Sequence, residues 1–467
     1  MWTRFWKGGQ KHDLDEAISL YRQALELQPP PHPNRSSSLS NLASVLRIRF
    51  EHEGHRIDLD EAISLNREVL NFYLPPHHDR GGSLYNLATA LAIQFEAGGR
   101  KSDLDEAISL IRQAVDLQPS PHPGQPLSLH MLGTLLIHAH SLAGEDSQYL
   151  EESMSSFIAA SQCVSQPPSG RLRSTKAWIT HADRYQHISA IDAYTAALQA
   201  LPEMAALSSD VYSRQEALTA RSDGLARDAS RCAIRSGKLD KAIEFLEQGR
   251  SIFWSQILFL RSPFDELHDI APELADKLKQ IATMLGLESY REVSVDIADK
   301  RKKLSIHREV SQLNRLNEEW AKSIDEVRKL NGFEDFLRPS RLSSLISSAS
   351  KYPVVILVAN NDYSHCLIMT LRNVHHFPLP KLHTPMLTEL VRLVHVAVSQ
   401  LPISRSVMEE TKERLLELLG EERKGRPAKF VDNKLGSSDD VFRFILGFLW
   451  DELVKPVIDV LNIKVGQ

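Results

Sequence analysis

An eight-residue string, Asp-Leu-Asp-Glu-Ala-Ile-Ser-Leu, stands at 13–20, again at 58–65 and again at 103–110, each copy 45 residues from the last. Identity over eight positions at one spacing marks stacked supersecondary units, since a single unit of this size cannot bury its own apolar face. Any fold for this chain must be built around that array.

Each unit divides into two helical stretches. The first runs as Ser38-Leu39-Ser40-Asn41-Leu42-Ala43, returns as Ser83-Leu84-Tyr85-Asn86-Leu87-Ala88, and again as Ser128-Leu129-His130-Met131-Leu132-Gly133. Leucines three and four residues apart make one apolar stripe, and the Ala or Gly lets a second helix approach closely. The second stretch is expected to open at Asp13, Asp58 or Asp103 as N-cap, with further acid in its first turn to complement the helix dipole. It closes in proline, at Pro29–Pro31, Pro75–Pro76, and Pro119 with Pro121, where a helix cannot continue. Weaker copies at 151–160, 190–198 and 238–246 extend the array to about residue 260. Phe5, Phe50 and Phe95 keep the spacing, as do Gly9, Gly54 and Gly99, so the chain is expected to begin in mid-unit, as a fragment or a late-starting gene model.

These residues resemble the tetratricopeptide repeat, with its Asn-Leu-Gly/Ala core in the first helix and Asp-Glu-Ala-Ile followed by Ala-Leu-x-Leu-x-Pro in the second. That repeat usually spans ~34 residues. The excess is expected in the connections, such as 50–57 between the two helices.

Composition narrows the function. Fifty-five Lys and Arg against sixty Asp and Glu leave a net charge of −5, without the basic field that duplex nucleic acid requires. The longest apolar runs, 352–359 and 442–450, fall far short of the roughly 20 residues that span a bilayer. Three widely separated cysteines, Cys163, Cys232 and Cys366, and an N-terminus without a secretory signal point to a cytoplasmic, reducing setting.

Beyond the array, Leu246-Glu247-Gln248-Gly249-Arg250 leads through Trp254-Ser255-Gln256 and a charged helical stretch at about 289–330 to Gly332-Phe333-Glu334-Asp335-Phe336-Leu337-Arg338-Pro339. Three short strands are expected at 352–359, 364–370 and 374–380, then helices at about 384–420 and 438–461. This succession is similar to fungal proteins in which tetratricopeptide repeats precede a CHAT domain, a caspase-like α/β peptidase module. Membership would imply a Cys/His dyad, the thiolate attacking and the imidazole activating it. In that family the dyad, with its His in a His-Gly pair, lies downstream of a segment like 450–457; no His-Gly occurs here. No position receives the catalytic roles, and the chain as given is expected to be inactive. The resemblance carries an alternative: the regulatory portion of a CHAT-type cysteine peptidase whose dyad lies beyond residue 467.

Cys366 with His365, His375, His376 and His383 invites a local Cys/His or metal site, but adjacent residues of a strand face opposite ways, and structural roles are expected. The other histidines, His77–His78 and His138 with His140 among them, show no recurring ligand spacing, and no metal site is assigned. Asn41 and Asn86 are the candidate peptide-binding residues. Side-chain amides at this first-helix position both donate and accept, which suits an extended peptide, although Met131 breaks the series and no basic companion for a carboxylate stands out. Phe253, Trp254 and Ile257 read as junction packing, and Lys300–Lys303 as a solvated face. The glycine pairs lack a Gly-Lys-Ser/Thr continuation, so no phosphate loop and no cofactor is expected.

The expected architecture is mainly α: a tetratricopeptide-like solenoid over 1–260, a helical connector over 261–340 and a partial caspase-like α/β segment over 341–467. The expected function is a protein-interaction scaffold whose groove takes a protein or peptide partner. An incomplete sheet would also leave an unpaired edge open to association.

Overall fold

The structure is a computed structural model that describes residues 11–144, 147–163, 168–206, 224–258, 263–290, 315–316, 318–334, 336, 342–398, 414 and 438–461. It divides into two compact units, Met1–Asp223 with Ile252–Arg338, and Gly224–Ser251 with Pro339–Gln467.

In the first unit α1 (Lys11–Glu26) is followed by helix pairs: α2 (Arg35–Glu53) with α3 (Arg56–Phe72), α4 (Arg80–Gly98) with α5 (Lys101–Asp116), α6 (Gln125–Ala143) with α7 (Ser147–Gln162), and α8 (Pro168–Arg184) with α9 (Ala190–Ala206). The long period resides in the helices and not, as the sequence suggests, in the connections. α2 has 19 residues and α3 has 17, with only Gly54 and His55 between them. Residues 50–53 simply continue α2 until Gly54, at φ +74°, caps it with an N–H to the Phe50 carbonyl at 2.7 Å.

The aspartates are not N-caps. α3 and α5 begin after His55 and Arg100, neither of which makes a side-chain cap bond, and Asp58 and Asp103 are the third residues of their helices. Both are buried. Asp58 accepts the Nε and Nη2 of Arg49 at 2.7 Å, and Asp103 pairs with Arg100 at 3.0 Å. A charge-assisted guanidinium fork outbids a neutral backbone N–H for the carboxylate.

Two ladders at the repeat spacing hold the stack. On the second helices, Arg22, Arg67 and Arg112 bond Glu61, Glu106 and Glu152 of the following unit at 2.8, 3.0 and 2.6 Å. In the proline turns, the Nδ1 atoms of His32, His77 and His122 accept the N–H of Asn34, Asp79 and Gly124 at 3.2, 3.2 and 3.0 Å. His187 repeats the contact on Ser189 at 3.2 Å. Each imidazole fixes the entry to the next helix, so the 45-residue recurrence of three of these histidines reports a turn. Between the layers the leucine stripes form continuous cores, with Leu84, Leu87, Leu91, Leu104, Ile111 and Leu136 fully buried.

α12 (Pro263–Ile270), α13 (Pro272–Tyr290) and the helical stretch 318–327 share a separate core of Leu267, Leu278, Ile281, Trp320 and Val327. Of the charged helical stretch expected at about 289–330, residues 291–314 and 317 lie outside the described residues.

In the second unit α10 (Leu225–Arg235) and the first part of α11 (Leu239–Leu258) accompany an antiparallel sheet of β1 (Val354–Val358), β2 (Ser364–Met369) and β3 (Val374–Leu379), in that order. α14 (Thr384–Val398) and α15 (Ser438–Leu449) bury Cys366 and Ile368 from one face of β2, together with Met386, Leu393, Phe444 and Phe448. The helix expected over 384–420 is described only to Val398, and that over 438–461 is broken by a π-turn at Trp450–Val454 before α16 (Lys455–Leu461). The described sheet is small, three-stranded and antiparallel.

Candidate interaction face

Beside their core positions the first helices carry half-buried or exposed polar side chains: Asn41 and Arg47 on α2, Asn86 on α4, His130 on α6, and Arg173 and His181 on α8, while Tyr85 of α4 and Met131 of α6 pack partly buried against the core. The reason is helical spacing: the core takes the leucine positions, so residues on the adjoining stripe stay half-buried or exposed. Asn41 and Asn86 are both half-buried, and among the described residues neither side-chain amide has a hydrogen-bond partner.

Burial pushes the Tyr85 phenol up; a hydrogen bond with Thr89 and then the charges of Arg47 on α2 and Arg173 on α8 pull it back. Arg47 is already paired with Glu51. Arg173 is exposed and makes no ion pair among the described residues. His130 is pushed down to about 4, first by burial and then by Arg173 and His181, so it is neutral at physiological pH. His181 is lowered by burial, Arg184 and His138. The buried Nδ1 atoms of both His130 and His181 lack hydrogen-bond partners. Their rings sandwich Phe157 of α7, His130 edge-on and His181 stacked, each with ring centroids 5.7 Å away.

Sequence reading found Asn41 and Asn86 but not Tyr85, His130, Arg173 or His181. The signal for the first two was present, since Tyr85 and His130 occupy equivalent positions one repeat apart. For α8 it was lost, because the repeat spacing lapses after residue 150.

The Cys/His cluster of the second unit does not assemble. His365 points away from Cys366 and bonds His376 Nε2 through Nδ1 at 3.0 Å, while Cys366 faces the helices, fully buried. Burial holds the Cys366 thiol up at about 11, the opposite of what a nucleophile needs. Native protein treated with iodoacetamide at neutral pH is therefore expected to leave Cys366 unmodified until it is denatured. Peptide mapping checks this, and labelling of Cys366 in the native chain would restore it as a candidate nucleophile.

Among the described residues one group, His77, His78 and Asp79, brings three ligand-type atoms within 4.8 Å of one another. The His77 Nδ1 lone pair, however, is committed to the Asp79 N–H. The side chains of Phe253, Trp254 and Ile257, and all of Lys300–Lys303, lie outside the described residues. No described helix is long and apolar enough to cross a membrane.

Residues 35–79, which are α2, α3 and the turn that follows, match the tetratricopeptide repeat family. No curated protein matches the chain. A similar solved structure is that of the "Podosopora anserina putative kinesin light chain nearly identical TPR-like repeats", 18% identical, covering 56% of this chain and 93% of that one with a TM-score of 0.25. The helix pairs on either side of 35–79 follow the same two-helix plan, so the N-terminal half of the chain is an array of helical repeats, of which 35–79 matches the tetratricopeptide repeat.

Proposed function

We propose that the chain is a protein-interaction scaffold without catalytic activity of its own, and that the first-helix face takes an extended, acidic segment of a partner protein. The observation that carries this reading is the set of unengaged polar side chains on the first helices: the half-buried Asn41 and Asn86 amides, and the exposed Arg173, which makes no ion pair among the described residues. Amides spaced one repeat apart suit the backbone of an extended peptide, and an exposed guanidinium beside neutral imidazoles favours carboxylates over cations. A regulatory role beside a Cys/His peptidase, implied by the CHAT resemblance, draws no support from the three-stranded sheet or from the buried Cys366.

The test is binding to an array of extended peptides differing only in Asp and Glu content. The Asn41→Ala/Asn86→Ala variant is expected to bind acidic members about tenfold or more weakly, as losing two hydrogen bonds of ~1 kcal/mol each requires. Arg173→Glu should abolish the preference for acid and flatten the salt dependence. Unaltered binding by both variants, with unchanged helical circular dichroism, would remove this face from the site.

A further inference from the structure

We propose that β1 is a self-pairing edge through which two copies of this chain associate. The two edges of the sheet are treated differently by the sequence. β3 carries Pro378, which has no N–H to offer, and the exposed His375, both devices that discourage a further strand. β1 is Val354-Val355-Ile356-Leu357-Val358, with no proline, charge or bulge, and among the described residues no strand pairs with its outer edge. Its face is also unfinished. Val355 and Leu357 lie on the side where α14 and α15 cover Cys366 and Ile368 of β2, yet they remain 42% and 51% exposed. An open, β-branched edge with exposed apolar side chains is an uncommon thing for a folded chain to leave bare.

The strand is complementary to itself. A two-fold axis through Ile356 sets Val354 opposite Val358 and Val355 opposite Leu357 of the other copy, so every facing pair is apolar. The four exposed Val and Leu side chains then gather on one face of a six-stranded antiparallel sheet. No like charges meet anywhere along the pairing, and the contact closes on two chains because it is isologous.

The experiment is sedimentation velocity of the full chain from nanomolar to high micromolar concentration. The expected result is a monomer–dimer equilibrium that Leu357→Lys weakens about tenfold or more, and that Leu357→Thr, which keeps the strand propensity, weakens less. Far-UV circular dichroism of both variants separates loss of pairing from loss of fold. A Val355→Cys/Leu357→Cys variant is expected to form a covalent dimer on oxidation, because that register alone puts 355 opposite 357. A single chain at every concentration, a dimer indifferent to Leu357→Lys, the absence of the 355–357 cross-link, open-ended aggregates, or occupation of the edge by a strand of another protein would each overturn the proposal. Peptide binding by the first-helix face is read separately and is unaffected by either outcome.

Discussion

Replacing Phe157 with Ala is expected to destabilise the repeat array by about 3–5 kcal/mol, the range for emptying an aromatic site in a packed core. The ring is fully buried and wedged against Gly133, where a Cβ would come within 2.8 Å of it. Nothing can fill the hole from that side, because α6 has no side chain there to move in. The same contact makes Gly133→Ala destabilising from the other direction, by overpacking against a ring that cannot withdraw. Combining Gly133→Ala with Phe157→Leu should therefore cost less than the sum of the two changes, as expected for residues in contact. Urea unfolding of the four proteins measures the coupling, and amide hydrogen exchange shows whether the loss concentrates in α6–α8, as nearest-neighbour stacking requires. Phe157→Ala should also weaken peptide binding, since its ring positions His130 and His181. A loss under about 1 kcal/mol would mean that the ring is not the wedge between these helices.

Arg49→Ala is expected to cost about 3 kcal/mol, a large effect for a single polar residue. Arg49 holds three successive helices at once, bonding Asp15 of α1 at 2.8 Å and Asp58 of α3 at 2.7 Å through both Nε and Nη2. Asp58 is buried, so removing the guanidinium strands a carboxylate that water cannot reach. Its two hydrogen bonds and their mutual attraction hold the arginine firmly protonated. The diagnostic is the double variant: Asp58→Ala should recover much of what Arg49→Ala loses, because both charges are then gone. If the double variant is as unstable as the sum of the single ones, the pair contributes nothing beyond surface electrostatics.

The leucine stripes and the proline turns were legible in the sequence, because repetition at 45 residues amplifies local signals that one copy could not carry, whereas the pairing of arginines 22, 67 and 112 with acids of the following unit is shown only by the structure. The recurring His32, His77 and His122 were equally visible, yet their role was not, since a histidine that caps a turn and one that waits for a metal look alike until its Nδ1 is seen against a backbone N–H. The same limit misplaced the aspartates: Asp58 has the composition of an N-cap, and only the approach of Arg49 from the preceding helix decides that its carboxylate turns inward.

Sequence by itself determined the array and its helix pairs, because apolar periodicity and recurrence are properties of the chain alone. Only the tertiary structure decided that residues 224–251 go with the sheet, that Cys366 and His365 part to opposite faces, and which charges act on Tyr85. The physical reason is distance: Arg173 meets the field of Tyr85 across 88 residues of chain, and no local rule of propensity or spacing reaches that far.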